Sequence, residues 1–432
     1  MLPALSRVFH RVDVPSLPIE LVIRIIDHVH HDKNTVKACS LVCKAWLPVA
    51  HDVIFNHMSI ALSSKPEESI NNKLAHMINQ LACVRVLTLS GLTMCELKLS
   101  TVMDMASWLP NLRELELSHL WLQDSTPPIS NLSLQLWNSV KSIKLDYVYF
   151  GQSKLYQDPV PNIFDPILAL FPAAEHLILR SIMGRKLIKT PIPRISMQSR
   201  TLSCYRMDNL KEVVEALQPC VAGSLRMIDY TGLPTPFEDL LLLCKMEGNK
   251  DSLKSLRFCA DSKELRDLSG LVYRRGAVVM DRATDKDGLI QYWDKLELRK
   301  CTVFQSISIV IRKFQFFTHT YILQTLPEST RIVTFELCWG NIEDPRECLN
   351  GLDAAYIEQC IENLPCLQEI RFVPYYLGLE LEEDVQSLIR SWMSSLDARG
   401  LLRISSFCTK VEGCQYEKPS KPSMISLASA CR

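Results

Sequence analysis

The sequence lacks long apolar runs. Nowhere in its 432 residues do about 18 consecutive apolar residues occur, the length that a membrane-spanning helix needs. It also lacks an N-terminal apolar segment of the kind that directs secretion. We therefore expect an intracellular protein, cytoplasmic or nuclear or both, with no membrane partner. Residues 1–12 are basic, slightly like a mitochondrial presequence, but a flexible N-terminus over residues 1–14 is the simpler interpretation.

Clustered cysteines and glycine-rich motifs are also missing. The 16 cysteines are scattered without any Cys-x-x-Cys pair, which argues against a disulfide framework and a structural zinc site, so we expect reduced thiols. With only 14 glycines, the chain has no phosphate-binding loop, no Gly-x-Gly-x-x-Gly motif and no Gly-x-Ser-x-Gly motif. We expect neither a cofactor nor catalytic activity.

The chain has no excess of either charge. Lysine plus arginine equals aspartate plus glutamate at 48 each, and the charges are spread along the sequence. Without a basic stretch there is no electrostatic basis for binding nucleic acid, so protein partners are expected.

What is present begins with three predicted helices. Apolar residues recur at helical spacing from Pro18 to Val29, and proline suits the first turn of a helix. Asp32 or Asn34 can cap a second helix. Pro48 should end that helix and open a third, short one. One face of the second helix is predicted to carry Val36, Cys39, Val42, Cys43 and Trp46.

The spacing of these residues is similar to a known protein-interaction motif. The pattern covers residues 15 to about 58 and consists of Leu17-Pro18-Ile19-Glu20-Leu21, Ile25-Ile26, Ala38-Cys39-Ser40-Leu41-Val42-Cys43-Lys44-Ala45-Trp46, Ala50 and Phe55. It resembles the F-box, although Val29-His30-His31 replaces the Leu-Pro that usually follows the first helix. A unit of this size buries little surface and favours a partner.

The resemblance implies a Skp-type adaptor as partner and, through it, the cullin and RING subunits of a ubiquitin ligase. The implied contact is a helix-in-groove interaction. The same residues could instead form the core of the small helical unit. The residues implied to bind or support the adaptor are Leu17, Pro18, Leu21, Ile25, Val36, Cys39, Val42, Cys43 and Trp46.

The run His28-Val29-His30-His31-Asp32 resembles part of a zinc-hydrolase signature. Lys33 stands where the last histidine would be, and the run follows an amphipathic helix rather than a strand. Polar residues between two helices explain it better than a metal site, so we expect no metal.

A short apolar pattern then recurs along the chain. The pattern consists of an apolar residue, any two residues, Leu or Ile, any one residue, and then Leu or an aromatic residue. Its first four copies start 28, 28 and 34 residues apart, which indicates a repeat. The clearest copies begin at Val84, Leu112, Val140 and Ala174. Looser copies begin at Leu225, Leu253, Phe304, Ile332 and Leu367.

Helix-like stretches that stop at prolines lie between these predicted strands, so one unit is a strand, a loop, a helix and a proline stop. This resembles an irregular leucine-rich repeat. The fold class predicted is α+β overall, a three-helix F-box followed by an α/β leucine-rich-repeat-like solenoid. A compact α/β domain is the alternative. The predicted boundaries are an F-box at 15–62, a linker at 63–72, repeats at 73–408 and a disordered tail at 409–432.

Residues between the strand leucines should point outward and form a candidate client surface, because side chains alternate between the two faces of a strand. Their mixed charge suits a protein partner. Each could equally be an ordinary solvated residue. The set is Glu114, Glu116, Ser142, Lys144, His176, Arg257, Glu336 and Arg371.

The predicted function is therefore that of a non-catalytic substrate receptor, which binds the adaptor through the F-box and an unknown protein client through the repeats. The alternative is a scaffold that binds the adaptor without promoting ubiquitination.

Overall fold

The structure is a computed structural model that describes fifteen stretches of the chain. They are residues 17–63, 65–123, 139–150, 170–182, 199–205, 207, 210–221, 223–235, 237–260, 262–274, 277–280, 284–312, 316–338, 354–375 and 382–405. The predicted flexible N-terminus at 1–14 and the predicted disordered tail at 409–432 lie outside them.

Contacts divide the chain into two compact units. The first comprises Met1–Leu202 with Arg206–Val221, and the second comprises Ser203–Tyr205 with Ala222–Arg432.

The first unit begins with three short helices. They are α1 (Ile19–Val29), α2 (Lys33–Ser40) and α3 (Trp46–Ile54). The sequence predicted that α2 would continue to Trp46, and this is wrong. Pro48 has no N–H to bond the carbonyl of Lys44 and its ring would clash there, so a helix cannot run unbroken across this segment. The chain turns at residues 41–45, and Val42, Cys43 and Trp46 therefore do not lie on α2.

A parallel sheet follows in the first unit. Its described strands pair in sequence order. They are β1 (His57–Leu62), β2 (Val86–Lys98), β3 (Glu114–Gln123), β4 (Ser142–Phe150) and β5 (His176–Arg180). Strand β6 (Thr201–Tyr205) lies at the division between the units. The helices of this unit's body are α4 (Pro66–Met77), α5 (Leu99–Ser107) and α6 (Leu210–Val221), together with a 3-10 turn at Ile78–Cys83. Helix α4 occupies most of the predicted linker at 63–72.

The second unit also contains a parallel sheet. Its strands are β7 (Met227–Thr235), β8 (Ser255–Ala260), β11 (Ser306–Arg312), β12 (Ile332–Cys338), β13 (Glu369–Tyr375) and β14 (Leu402–Ile404). They pair in that order, so β8 is a direct neighbour of β11. Between them in the chain lies a separate antiparallel pair, β9 (Leu271–Arg274) and β10 (Ala277–Met280).

Helices connect the strands of the second unit, as parallel strands require crossover connections. They are α7 (Phe237–Cys244), α8 (Asn249–Ser252), α9 (Lys263–Ser269), α10 (Lys286–Asp294), α11 (Phe316–His319), α12 (Ala354–Glu362), α13 (Glu382–Trp392) and α14 (Ser394–Ala398), with 3-10 turns at Leu298–Lys300 and Thr320–Thr325.

The predicted fold class is wrong. An α+β chain was expected, with a three-helix F-box followed by a leucine-rich-repeat-like solenoid, whereas the structure is α/β, with parallel strands and helices, and no solenoid is found in the part of the chain that the structure describes. The physical reason is that a strand, a crossover helix and a proline stop recur in both architectures, so the pattern alone does not separate them. The compact α/β alternative is the closer one.

The positions of the recurring strands are confirmed. Each of the nine copies lies at or in a described strand, from β2 at Leu87 and Leu89 to β13 at Ile370 and Phe372. The second and third apolar residues of every copy are almost fully buried. Alternation within each strand explains this, because one face of the sheet packs on the helices and the other carries the polar residues.

Candidate functional site

The three N-terminal helices share a small apolar core. Val22, Ile26, Val36 and Ala50 are completely buried, and Trp46 is among the half-buried residues packed against them. This core brings one face of α1 against α2 and α3. Since it uses only two fully buried residues of α1, the remaining apolar side chains of that helix need another environment.

Apart from Val29, which packs against this core, the remaining apolar side chains of α1 are exposed. Leu41 and Val42, in the turn after α2, are 84% and 62% exposed, which is unusual for large aliphatic residues. Large aliphatic side chains exposed on one short helical unit make it a candidate for protein binding. We name these residues the exposed apolar set: Leu17, Ile19, Leu21, Ile23, Ile25, Leu41, Val42 and Leu47.

The structure divides the residues that the resemblance assigned to adaptor binding. Val36 belongs to the core, and Cys39 and Trp46 are half-buried against it, so a substitution at these positions also affects folding. The other six are exposed: Leu17, Pro18, Leu21, Ile25, Val42 and Cys43. Sequence analysis missed Ile19, Ile23, Leu41 and Leu47. The helical wheel of α1 could have identified Ile19 and Ile23, which flank the buried stripe.

The His28–Asp32 run has a local structural role. Asp32 caps α2, as predicted, by accepting a hydrogen bond from the Asn34 backbone N–H at 3.0 Å and another from the Thr35 hydroxyl at 2.5 Å. His30 Nδ1 lies 2.5 Å from the Asp27 carbonyl oxygen. Within the described ranges, no three His, Cys, Asp or Glu residues gather as a metal ion would require.

The cap makes the carboxyl group of Asp32 a more acidic one. The hydrogen bonds from Thr35 and Asn34 lower its pKa below the ordinary 3.8. Its stabilisation of α2 should therefore be complete above pH 3.8 and be lost as the pH falls through the lower folded value. We expect NMR of isotope-labelled aspartate to show a titration midpoint for Asp32 below 3.8. A midpoint at or above that value would contradict the cap, and Asp32→Asn is the control that identifies the signal.

On the first sheet, the outward-facing side chains form ion pairs across strands. Lys144 Nζ on β4 donates to Glu116 on β3, and the Thr88 hydroxyl donates to the same carboxylate at 3.3 Å. Two residues further along β4, Asp146 lies 4.0 Å from Arg180 on β5. Burial raises the pKa of Asp146, and the positive charge of Arg180 acts against that rise. These pairs follow directly from the register of β3, β4 and β5.

The second sheet contains a more deeply buried network. Arg257 on β8 donates to both carboxylate oxygens of Glu336 on β12 at 2.7 Å each, and to Asp229 on β7 at 3.0 Å. Ser308 on β11 also donates to Glu336. Only 15% of the Arg257 side chain and 7% of the Glu336 side chain are exposed. A bidentate pair of this kind is strongly oriented and contributes to the structure of the sheet.

These contacts change the interpretation of the predicted client surface. Glu336 is buried and already paired, so it is poorly placed to contact a client. Arg371 pairs with Glu369 on the same strand at 2.8 Å. Glu116 and Lys144 are brought together, while Glu114, Ser142 and His176 form one cross-strand row on the first sheet. Sequence analysis missed Asp229, Asp146 and Arg180, because only the strand register shows that they meet charged partners.

Four of the described buried cysteines lie in surroundings that are unsuited to a nucleophilic thiol. Burial raises the pKa of the thiols of Cys95, Cys204, Cys244 and Cys301, which keeps them protonated, whereas a reactive cysteine needs a lowered pKa. No described helix has the length and apolar character to cross a membrane.

Comparison with known proteins adds no family. No protein-family model matches the chain. No curated protein matches it either. The exposed apolar set and the polar strand faces are therefore the basis for any functional interpretation.

Proposed function

We propose that the chain is a substrate receptor of a Skp-cullin-F-box type ubiquitin ligase. In this proposal the exposed apolar set binds the Skp-type adaptor, and the sheet surfaces bind a protein client. The observation that carries it is the combination of F-box-like spacing over residues 15–58 with large aliphatic side chains left exposed on the same helices.

The energetics favour a partner over these helices. Fully burying an exposed large aliphatic side chain contributes about 1.5–3 kcal/mol. The members of the exposed apolar set are 38–84% exposed in the free protein, so each would gain a corresponding part of this on binding, against the entropy that association costs. Val42 and Leu41 lie in the turn that precedes α3, and Leu17 and Leu21 lie at the start of α1. Such anchors suit the helix-in-groove type of recognition.

The role of this chain in ubiquitination would be proximity. Other subunits carry the reactive thioester and perform the transfer, while the receptor raises the effective concentration of the client near it. A receptor must therefore bind the adaptor and retain the cullin and RING subunits in the same complex. A scaffold would bind the adaptor without them, which gives the test a second outcome to measure.

Replacing two exposed anchors should abolish most adaptor binding without unfolding the chain. We expect Leu21→Ser combined with Val42→Ser to weaken binding to a purified Skp-type adaptor about thirtyfold, equivalent to about 2 kcal/mol, because both side chains are exposed in the free protein. Isothermal titration calorimetry with the full-length chain measures the change. These positions are preferable to Trp46, which also packs on the helical core.

The matched control is Arg24→Ser combined with Lys37→Ser, two exposed polar residues, one on α1 and one on α2. It should bind as the unmodified chain does. Equal affinity of the Leu21/Val42 variant, with unchanged circular dichroism, would refute the proposed surface. Co-purification of cullin and RING subunits with the unmodified chain, and not with the variant, would support a receptor; adaptor without cullin would support the scaffold.

A further inference from the structure

An irregularity in the first sheet places apolar side chains in solvent. Ser90 pairs with Ser118 and Cys95 pairs with Leu120, so residues 91–94 of β2 face a single residue of β3. That residue is His119. Such a bulge redirects side chains away from the regular face. Within it, Leu92 is 74% exposed and Met94 is 38% exposed.

The backbone is strained at the same level of the neighbouring strands. His119, Tyr147 and Ser181 have φ angles of 55°, 51° and 47°, in the left-handed region that residues other than glycine rarely adopt. They follow Ser118, Asp146 and Arg180, which are register partners on β3, β4 and β5. Strain repeated at aligned positions is retained only where the surroundings enforce it, and it is frequent at functional sites.

Two stacked aromatic pairs lie at this irregularity. The rings of His119 and Tyr147 are 5.0 Å apart with an interplanar angle of 16°, and those of Trp121 and Tyr149 are 4.6 Å apart at 19°. His119 is exposed, and the other three are partly exposed. Stacking orders these rings before any partner arrives, so little conformational entropy remains to be lost on binding.

Three cations near the rings form ion pairs within the chain. Lys144 pairs with Glu116, Arg180 with Asp146, and Lys98 with Glu67 at 3.4 Å. A phosphorylated or strongly acidic ligand needs cations that are not already neutralised. This surface therefore favours an uncharged ligand.

We propose that Leu92, Met94, His119, Trp121, Tyr147 and Tyr149, here named the aromatic patch, dock an extended, uncharged, proline-containing segment of the client. The inference rests on the proposed function and specifies its client. Methionine, tyrosine and tryptophan are the residue types enriched at protein interfaces.

The strand pairing around the patch excludes a client segment that binds as an added β-strand. Strand β3 pairs with β2 on one side and β4 on the other, so its ladder is occupied and a client strand cannot be added there. A polyproline II segment makes no backbone ladder and remains solvated, and its fixed conformation reduces the entropy lost on docking against aromatic rings.

The test uses the full-length chain and fluorescence polarisation with three labelled peptides. One consists of repeated Pro-Leu-Pro, the second has alanine in place of proline, and the third is acidic and phosphorylated on serine. We expect the first to bind most tightly, and Leu92→Ser or Trp121→Ala to weaken that binding about tenfold. The matched control is Trp108→Ala, since Trp108 is another exposed tryptophan of the first unit, 47% exposed.

Because Trp121 is partly buried, Leu92→Ser provides the variant that leaves the core unchanged. The docking proposal is overturned if the proline peptide fails to bind, if the phosphopeptide binds more tightly, or if both patch variants bind the proline peptide as tightly as the unmodified chain does. Adaptor binding, measured on the same samples, keeps the two proposals separate. If the adaptor binds and the proline peptide does not, only the aromatic patch is refuted; if the peptide binds and the adaptor does not, only the receptor function is refuted.

Discussion

Glu336→Ala should lower the free energy of unfolding by about 3–5 kcal/mol, because it leaves the buried guanidinium of Arg257 without its bidentate partner. In the native structure both Arg257–Glu336 distances are 2.7 Å, and Asp229 at 3.0 Å supplies the remaining negative charge. With the Glu336 carboxylate removed, the guanidinium of Arg257 remains buried and keeps only one of its two carboxylate partners. Urea denaturation followed by circular dichroism measures the loss.

The double replacement Glu336→Leu with Arg257→Met distinguishes the cost of an unpaired buried charge from the stability that the ion pair itself contributes. Removing both members of the bidentate pair avoids the unpaired guanidinium but leaves Asp229 without its cation, so part of the stability lost in Glu336→Ala should return. Asp229 keeps the hydrogen bond from the Thr231 hydroxyl at 3.0 Å. Glu362→Ala, at an exposed position of α12, serves as the control and should change stability little. A loss below about 1 kcal/mol for Glu336→Ala would show that the network is solvated and does not support the sheet.

Leu177→Ala should destabilise the first unit by about 2–5 kcal/mol. Leu177 on β5 is completely buried and pairs in register with Ile143 on β4, so alanine leaves a cavity that the neighbouring strands only partly close. The same change should loosen β4, which hydrogen exchange would detect as faster exchange of its amides. Chemical denaturation gives the total loss.

The neighbouring Ile178 provides the matched comparison. It lies on the opposite face of β5 and is only partly buried, so Ile178→Ala removes a side chain of the same size from a more exposed position and should cost less stability than Leu177→Ala. If the two variants were equally stable, the assignment of the buried face of β5 would be wrong. The sign of this difference does not depend on the function of the protein.

The strands show how far the sequence could predict the fold. The spacing around Leu87, Leu115, Ile143 and Leu177 predicted both the strands and their buried residues, because alternation along a strand is a local property. The spacing did not predict the architecture. β8 is next to β11 rather than to the strand that follows it in the chain, and sequence periodicity contains no information on that choice.

The candidate sites show the same limit. Leu21 and Val42, which the resemblance assigned to adaptor binding, are exposed, whereas Val36 from the same pattern belongs to the core, because burial depends on how three helices meet. The pairing of Trp121 with Tyr149 could not be predicted, because the bulge in β2 and the left-handed conformation at His119 and Tyr147 do not follow from any motif in the sequence.

The sequence by itself determined the local features of this protein: the proline-interrupted helices, the cap of Asp32 on α2 and the alternation within each strand. Only the tertiary structure decided which side chains meet across strands, such as Arg257 and Glu336, which are 79 residues apart. The physical reason is that helical periodicity and capping depend on residues within a turn or two, whereas strand order and register are set by packing between segments distant in the chain.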